Sequence, residues 1–129
     1  MIGKKPNILL VDDEQFLAKG ISVILSKKID CNEMVIAMDG EQAWQILQDK
    51  DKDIDLVISD WNMPKKNGAE LLRDMKANPK TSSIPFLMLT GRGDVDSLKS
   101  AQDAGVVEYI VKPFNGDELV KMIKKLLNI

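Results

Sequence analysis

Residues able to do metal and phosphate chemistry stand at the ends of apolar runs in this chain. Asp12 and Asp13 follow Ile8-Leu9-Leu10-Val11, and Asp60 follows Leu56-Val57-Ile58-Ser59. Thr90 closes the run from Ile84 to Leu89, and Lys112 closes Glu108-Tyr109-Ile110-Val111. A single strand-end Asp is ordinarily a turn former or a helix cap. Carboxylates, a hydroxyl and an ammonium at the ends of four such runs ask for a chemical reason. Two unit charges ~4 Å apart repel by ~4 kcal/mol at an effective dielectric of ~20, so gathered carboxylates call for a cation. Oxygen donors with few dedicated ligands suit Mg²⁺ better than a caged Ca²⁺. Three carboxylates and one ammonium leave a formal charge that one divalent cation cancels. An Asp in such a site can become an acyl phosphate, which adds about one negative charge beside the metal and the lysine. In-line phosphoryl transfer asks mainly for positioning and charge neutralisation. Asp60 is the candidate acceptor, because Met63-Pro64 and Asn67-Gly68 make the exit from its run a fixed turn.

Composition removes most other chemistries. The 129 residues contain no histidine, which excludes Ser-His-Asp and Cys-His catalysis, His-ligated zinc and phosphohistidine carriage within the chain. Cys31 is the single cysteine and has no internal disulfide partner. A net charge of −2 gives no footprint of a general nucleic-acid binder. Apolar runs fall far short of the ~20 residues a membrane-spanning helix needs, and Met1 to Pro6 lacks the apolar stretch of a signal peptide. These features point to the cytoplasm.

The elements that must position these residues alternate along the chain. Ile8–Val11, Met34–Met38, Leu56–Ser59, Ile84–Leu89 and Glu108–Val111 read as strands. Between them, helical spacing marks Gln15–Lys27 through Phe16, Leu17, Gly20, Ile21, Ile24 and Leu25, and Glu41–Gln48 through Ala43, Ile46 and Leu47. Leu71, Leu72 and Met75 mark a third helix fading into Asn78-Pro79, and Asp94–Ala104 a fourth that ends at Gly105. Leu119, Met122, Ile123, Leu126 and Leu127 form the stripe of a fifth. Five strands alternating with five helices predict a doubly wound α/β domain with a parallel sheet, in which ligands bind beyond the carboxyl ends of the strands. The expectation is one domain over 1–129 with no output domain attached.

Four motifs in order resemble one family: Val11-Asp12-Asp13; Ser59-Asp60-Trp61-Asn62-Met63-Pro64 with Gly68; Leu89-Thr90-Gly91; and Tyr109-Ile110-Val111-Lys112-Pro113-Phe114. Each is weak alone. Together they make the whole chain similar to the receiver domains of bacterial two-component systems, above all to the single-domain chemotaxis regulators. The resemblance implies a flavodoxin-like (βα)5 fold with strand order 2-1-3-4-5, an order for which a chemotaxis regulator is the standard example.

It implies roles as well. Asp60 would be the phosphoacceptor, receiving phosphoryl from a kinase's phosphohistidine. Asp13, Asp60 and the Asn62 carbonyl would hold Mg²⁺ directly, and Asp12 through water. Lys112 would bind a phosphoryl oxygen, and its peptide bond to Pro113 would be cis. Thr90 and Tyr109 would be the switch pair, with the small Gly91 keeping the site open. Asn62 and Arg92 stand where the family tunes phosphoryl lifetime. The implied partners are a histidine kinase or phosphotransfer protein and a downstream target reading the fourth helix, fifth strand and fifth helix around Tyr109 and Lys121. No turnover of an external substrate is expected. A phosphorelay intermediate or a receiver fragment of a larger regulator would look nearly the same. A metal-dependent phosphatase with an aspartyl nucleophile is a weaker rival, since Asn62 stands where a general acid would be needed.

Overall fold

The computed structural model describes residues 5–61, 63, 65–91 and 108–129. The five strands are β1 (Asn7–Val11), β2 (Glu33–Ala37), β3 (Leu56–Asp60), β4 (Phe86–Gly91) and β5 (Glu108–Lys112). All neighbours pair in parallel, in the order β2-β1-β3-β4-β5. The helices among the described residues are α1 (Gln15–Lys28), α2 (Gly40–Gln48), α3 (Gly68–Ala77) and α4 (Gly116–Leu127). The helix expected over 94–104, with its terminator Gly105, lies outside the described residues, as do Asn62, Pro64 and Arg92.

A parallel sheet covered on both faces needs strands that are apolar on both sides, and the alternation of side chains sorts them cleanly. Leu9, Val11, Val57, Phe86 and Met88 pack with Ala43 and Leu47 of α2 and Leu71, Leu72 and Met75 of α3. Ile8, Leu10, Leu56, Ile58, Leu87, Leu89 and Ile110 pack on the other face with Ala18, Ile21 and Leu25 of α1 and Leu119 and Ile123 of α4. Burying such side chains contributes ~1.5–3 kcal/mol each.

The helix ends carry readable signals. Asn67 caps α3 in a reciprocal box: its side chain accepts from the Glu70 amide at 2.9 Å, and Glu70 accepts from the Asn67 amide at 3.1 Å. Asp39 caps α2 through the Gln42 amide, and Asn115 caps α4 through the Glu118 amide.

One expectation is corrected on α1. Phe16, Gly20 and Ile24 belong to the apolar pattern but are exposed, Phe16 almost wholly so at 92%. The buried stripe is Ala18, Ile21 and Leu25. Small Ala18 lets the helix approach the sheet, which turns Phe16 outward. Strand bounds also shift: β4 runs on through Thr90 and Gly91, and β5 through Lys112, because ladder pairing continues to the residues opposite them.

Candidate functional site

Strand periodicity explains why the reactive side chains meet. Side chains two residues apart on a strand share a face. Asp12, Asp60 and Lys112 each stand two residues beyond Leu10, Ile58 and Ile110, which all pack in the cluster under α1 and α4. The three polar groups therefore emerge on one side of the sheet, at its carboxyl edge. Asp60 pairs in register with Leu89, and Gly91 with Lys112, so β4 and β5 run two residues past the end of β3.

Asp60 is 8% exposed, and its Oδ1 takes the Trp61 amide at 2.9 Å and lies 3.2 Å from Lys112 Nζ. Burial raises its pKa above the usual carboxylate value, against the lowering effects of the Lys112 ammonium and the Trp61 amide. Asp12 is fully buried, and its Oδ1 accepts from the Glu14 amide at 2.9 Å. Burial raises its pKa too; the Glu14 amide opposes this, and the Asp60 charge adds to it. Asp13 is exposed. Oxygens of Asp12, Asp13 and Asp60 all lie within 4.8 Å of one another.

These residues fit a hard divalent cation. Asp12 Oδ2 is buried with no hydrogen-bond partner among the described residues, and a buried acceptor left unpaired is costly. Burial is the main cause of both raised carboxyl pKa values, so negative charge is costly at this site. The donors are all oxygens, which favours Mg²⁺ over zinc.

Thr90 is buried, and its hydroxyl makes only a long 3.4 Å contact with the Gly91 carbonyl. No hydrogen bond joins it to Asp60 or Lys112 among the described residues. Tyr109 is 41% exposed and points away from the core. The Lys112–Pro113 peptide is cis. Trp61 is buried against the α2–α3 cluster, and Trp44 is half-buried at its margin. Cys31 is half-buried beside β2, where burial first and Asp30 second raise its thiol pKa.

Sequence reasoning missed how the exit from Asp60 is held. The Gly68 amide donates to the Trp61 carbonyl at 2.9 Å, and the Trp61 amide also reaches the Leu89 carbonyl at 3.0 Å. Gly68 has no room for a side chain: a Cβ would stand 2.7 Å from the Asp60 carbonyl oxygen and 2.9 Å from Met88 Sδ. The Asn67-x-x-Glu70 spacing was a readable helix-start signature. The close approach at Gly68 had no local signal beyond the glycine itself.

A family model for the response regulator receiver domain matches residues 8–124. A chemotaxis protein CheY homolog of Campylobacter jejuni is 34% identical over 120 residues, covering 93% of this chain and 91% of the relative. The phosphate regulon transcriptional regulatory protein PhoB of Pseudomonas aeruginosa is 37% identical over 128 residues, covering 98% of this chain and 53% of the relative. The chain thus spans about half the length of that regulator. Among solved structures, a response regulator receiver domain protein of Clostridium thermocellum superposes with a TM-score of 0.84 at 30% identity, covering 95% of this chain and 94% of that one.

Proposed function

The chain belongs to the response regulator receiver domain family, and from that premise we propose that it is a phosphorylation-activated switch, acting in the cytoplasm, whose phosphoacceptor is Asp60. Receiver domains are signalling switches of two-component systems rather than turnover enzymes, so the phosphorylated domain is itself the product. The observation that carries this reading is the gathering of Asp12, Asp13 and Asp60 oxygens within 4.8 Å, with Lys112 against Asp60.

An Asp60 carboxylate oxygen attacks the phosphorus of a partner's phosphohistidine. The new O–P bond forms as the P–N bond breaks, and the departing imidazole keeps the bonding pair and takes a proton from solvent. Asp13 and Asp60 would hold Mg²⁺ directly together with the Asn62 carbonyl, and Asp12 through water. Bound there, the ion would neutralise charge on the transferring group. Lys112, now paired with the carboxylate, turns its ammonium to a phosphoryl oxygen. The Thr90 hydroxyl gives up only its long contact to Gly91 when it donates to the phosphoryl group. Tyr109 then moves from its exposed position into the space that Thr90 vacates, and this pair is the two-state element that changes the partner-binding face. That face includes β5 and α4 with exposed Lys121. Gly91 leaves the donor's path clear, and Asn62 and Arg92 set how long the phosphate lasts.

The donor reaches the site past α1. An apolar groove of ≈ 530 Å³ lined by Phe16, Ile24, Pro113 and Phe114 runs up to Lys112, and a kinase or phosphotransfer protein covering it would bury Phe16 while delivering its phosphohistidine. A stand-alone chemotaxis-type role is supported by the CheY homologs, which this chain matches over nearly their full length. The similarity to PhoB favours a second reading, the receiver part of a larger regulator or a relay step.

Incubation with acetyl phosphate and Mg²⁺, followed by intact mass measurement, tests the reading. One phosphoryl group should add to wild type and none to Asp60→Ala. Labelling that survives the Asp60→Ala change, or repeated turnover of added phosphomonoesters, overturns it. Capture of partner proteins by wild type and Asp60→Ala, with and without acetyl phosphate, then separates the chemotaxis role from the relay role.

A further inference from the structure

The carboxylates of the site sit at the ends of two paired strands, Asp12 and Asp13 just after β1 and Asp60 as the last residue of β3, and a short bridge joins the stretches that follow them. At one end the Asp12 amide donates to the Ala37 carbonyl at 3.0 Å. At the other, the Gly40 amide donates to the Lys66 carbonyl at 3.0 Å. The turn Ala37–Gly40, the tip of β2 and the start of α2, therefore spans from the backbone of Asp12 to the stretch that follows Asp60. Gly40 leaves no space to loosen this contact, since a Cβ there would overlap the Lys66 carbonyl group. Asp39 ties the turn to α2 through the Gln42 amide at 2.7 Å.

The Lys66 side chain fastens the far end. Its ammonium pairs with Asp74 of α3 and stands 5.8 Å from the centre of the Trp44 ring on α2. Lys66 and Asp74 are both half-buried. One lysine thus locks the β3 exit loop to α2 by backbone and ring, and to α3 by charge. Among the described residues, no hydrogen bond or ion pair joins Gly40, Trp44, Lys66 or Asp74 to Asp12, Asp13 or Asp60.

We propose that the Ala37–Gly40 turn, locked by the Lys66–Asp74 pair and Trp44, is a strut that holds the stretch after β1, which carries Asp12 and Asp13, against the stretch that follows Asp60, and so sets the affinity of the site for a divalent cation. This rests on the proposed metal site, whose like charges push the two strand ends apart whenever no cation is bound. Lys66 and Asp74 are positioning residues for that site. Partners that orient metal ligands change affinity by about 10–100-fold when removed; this strut acts one step further out, through the backbone, and about five-fold is expected.

The sign of the effect separates a strut from simple electrostatics. Removing the Lys66 charge alone would strengthen cation binding, and removing the Asp74 charge alone would weaken it. Loss of the strut weakens binding in both cases. Calorimetric titration with Mg²⁺ on wild type, Lys66→Met, Lys66→Arg, Asp74→Asn and Asp13→Asn, with melting of each metal-free protein as the measure of folding, decides it. The expected result is a Kd raised about five-fold in both Lys66→Met and Asp74→Asn, with Lys66→Arg within two-fold of wild type. Opposite shifts in Lys66→Met and Asp74→Asn, or Kd values of both within two-fold of wild type, overturn the proposal and leave the metal site standing. Mg²⁺ binding that is absent from wild type, or unaffected by Asp13→Asn, overturns the metal site and the strut with it. Gly40→Ala adds a stronger displacement of the same contact where it folds.

Discussion

Asp12→Asn should make the metal-free protein more stable, although it removes a proposed metal-site carboxylate. Asp12 is fully buried, with one oxygen unpartnered and the Asp60 carboxylate nearby. At the 4.8 Å that bounds the cluster, two unit charges repel by ~3.5 kcal/mol at an effective dielectric of ~20. Lys112, 3.2 Å from Asp60, offsets part of this. An Asn at position 12 keeps an oxygen for the Glu14 amide and puts an NH₂ where Oδ2 stood, able to donate to the neighbouring carboxylate. A net gain of ~1–2 kcal/mol is expected near neutral pH, or ~3–8 °C in Tm for a domain of this size.

The gain must depend on pH and on metal in fixed directions. Asp12 and Asp60 both have folded pKa values raised above the ordinary 3.8. The folded chain therefore holds these protons more tightly than the unfolded chain. Their contribution to stability is fully present below 3.8 and is lost as pH rises through the folded values. The advantage of Asp12→Asn should then be largest near neutral pH and shrink as acid protonates the wild-type pair. Mg²⁺ acts the other way: at ~100 times its Kd it stabilises wild type by ~2.7 kcal/mol, and the weakened variant by less, so the order of melting should close or invert. Melting by circular dichroism in EDTA and in saturating Mg²⁺, between mildly acidic and neutral pH, gives all three readings. A variant that melts below wild type in EDTA at neutral pH would show that Asp12 contributes more by its bonds than it costs by its charge.

Three further outcomes follow from named contacts. Gly68→Ala should lose ~1–3 kcal/mol in denaturant unfolding, because its Cβ would meet the Asp60 carbonyl at 2.7 Å and Met88 Sδ at 2.9 Å; unchanged stability would mean the exit loop adapts freely. In a Trp44→Phe background, Trp61 is the only indole, and its emission should shift on Mg²⁺ addition because its amide holds Asp60 Oδ1; a constant spectrum at saturating Mg²⁺ counts against the proposed geometry. Phe16→Ser should leave stability within ~0.5 kcal/mol, as expected for a side chain 92% exposed. It should slow phosphoryl uptake from a protein donor and leave uptake from acetyl phosphate unchanged; equal slowing with both donors would place its effect in the site rather than in docking.

What could be read from the sequence, and what could not, divides along a physical line. A strand's side-chain period is two, so once Leu10, Ile58 and Ile110 share one face of the sheet, Asp12, Asp60 and Lys112 follow them onto it, whatever the loops do. The both-sided burial of Leu9–Val11 and Leu87–Leu89 similarly follows from their unbroken apolar character. On α1 the rule is weaker, because a helical stripe records which residues are apolar and not which neighbour covers them: Phe16 fits the stripe and faces solvent, while Ala18 is the residue that touches the sheet. The order of strands was beyond the pattern altogether, since β1 pairs with both β2 and β3 through crossovers that leave no mark on period or composition; it came from the four motifs. Separations between loops are less legible still. The Gly40–Lys66 contact joins residues that are distant in sequence and chemically unremarkable, and it has meaning only once β1 and β3 are neighbours. The direction of each reactive group is thus a local property, written in the strand that carries it. The distances among the groups, on which the affinity of the proposed metal site would depend, belong to contacts that exist only in the folded chain, and on the strut proposal sequence changes at these contacts would retune the site without touching a carboxylate.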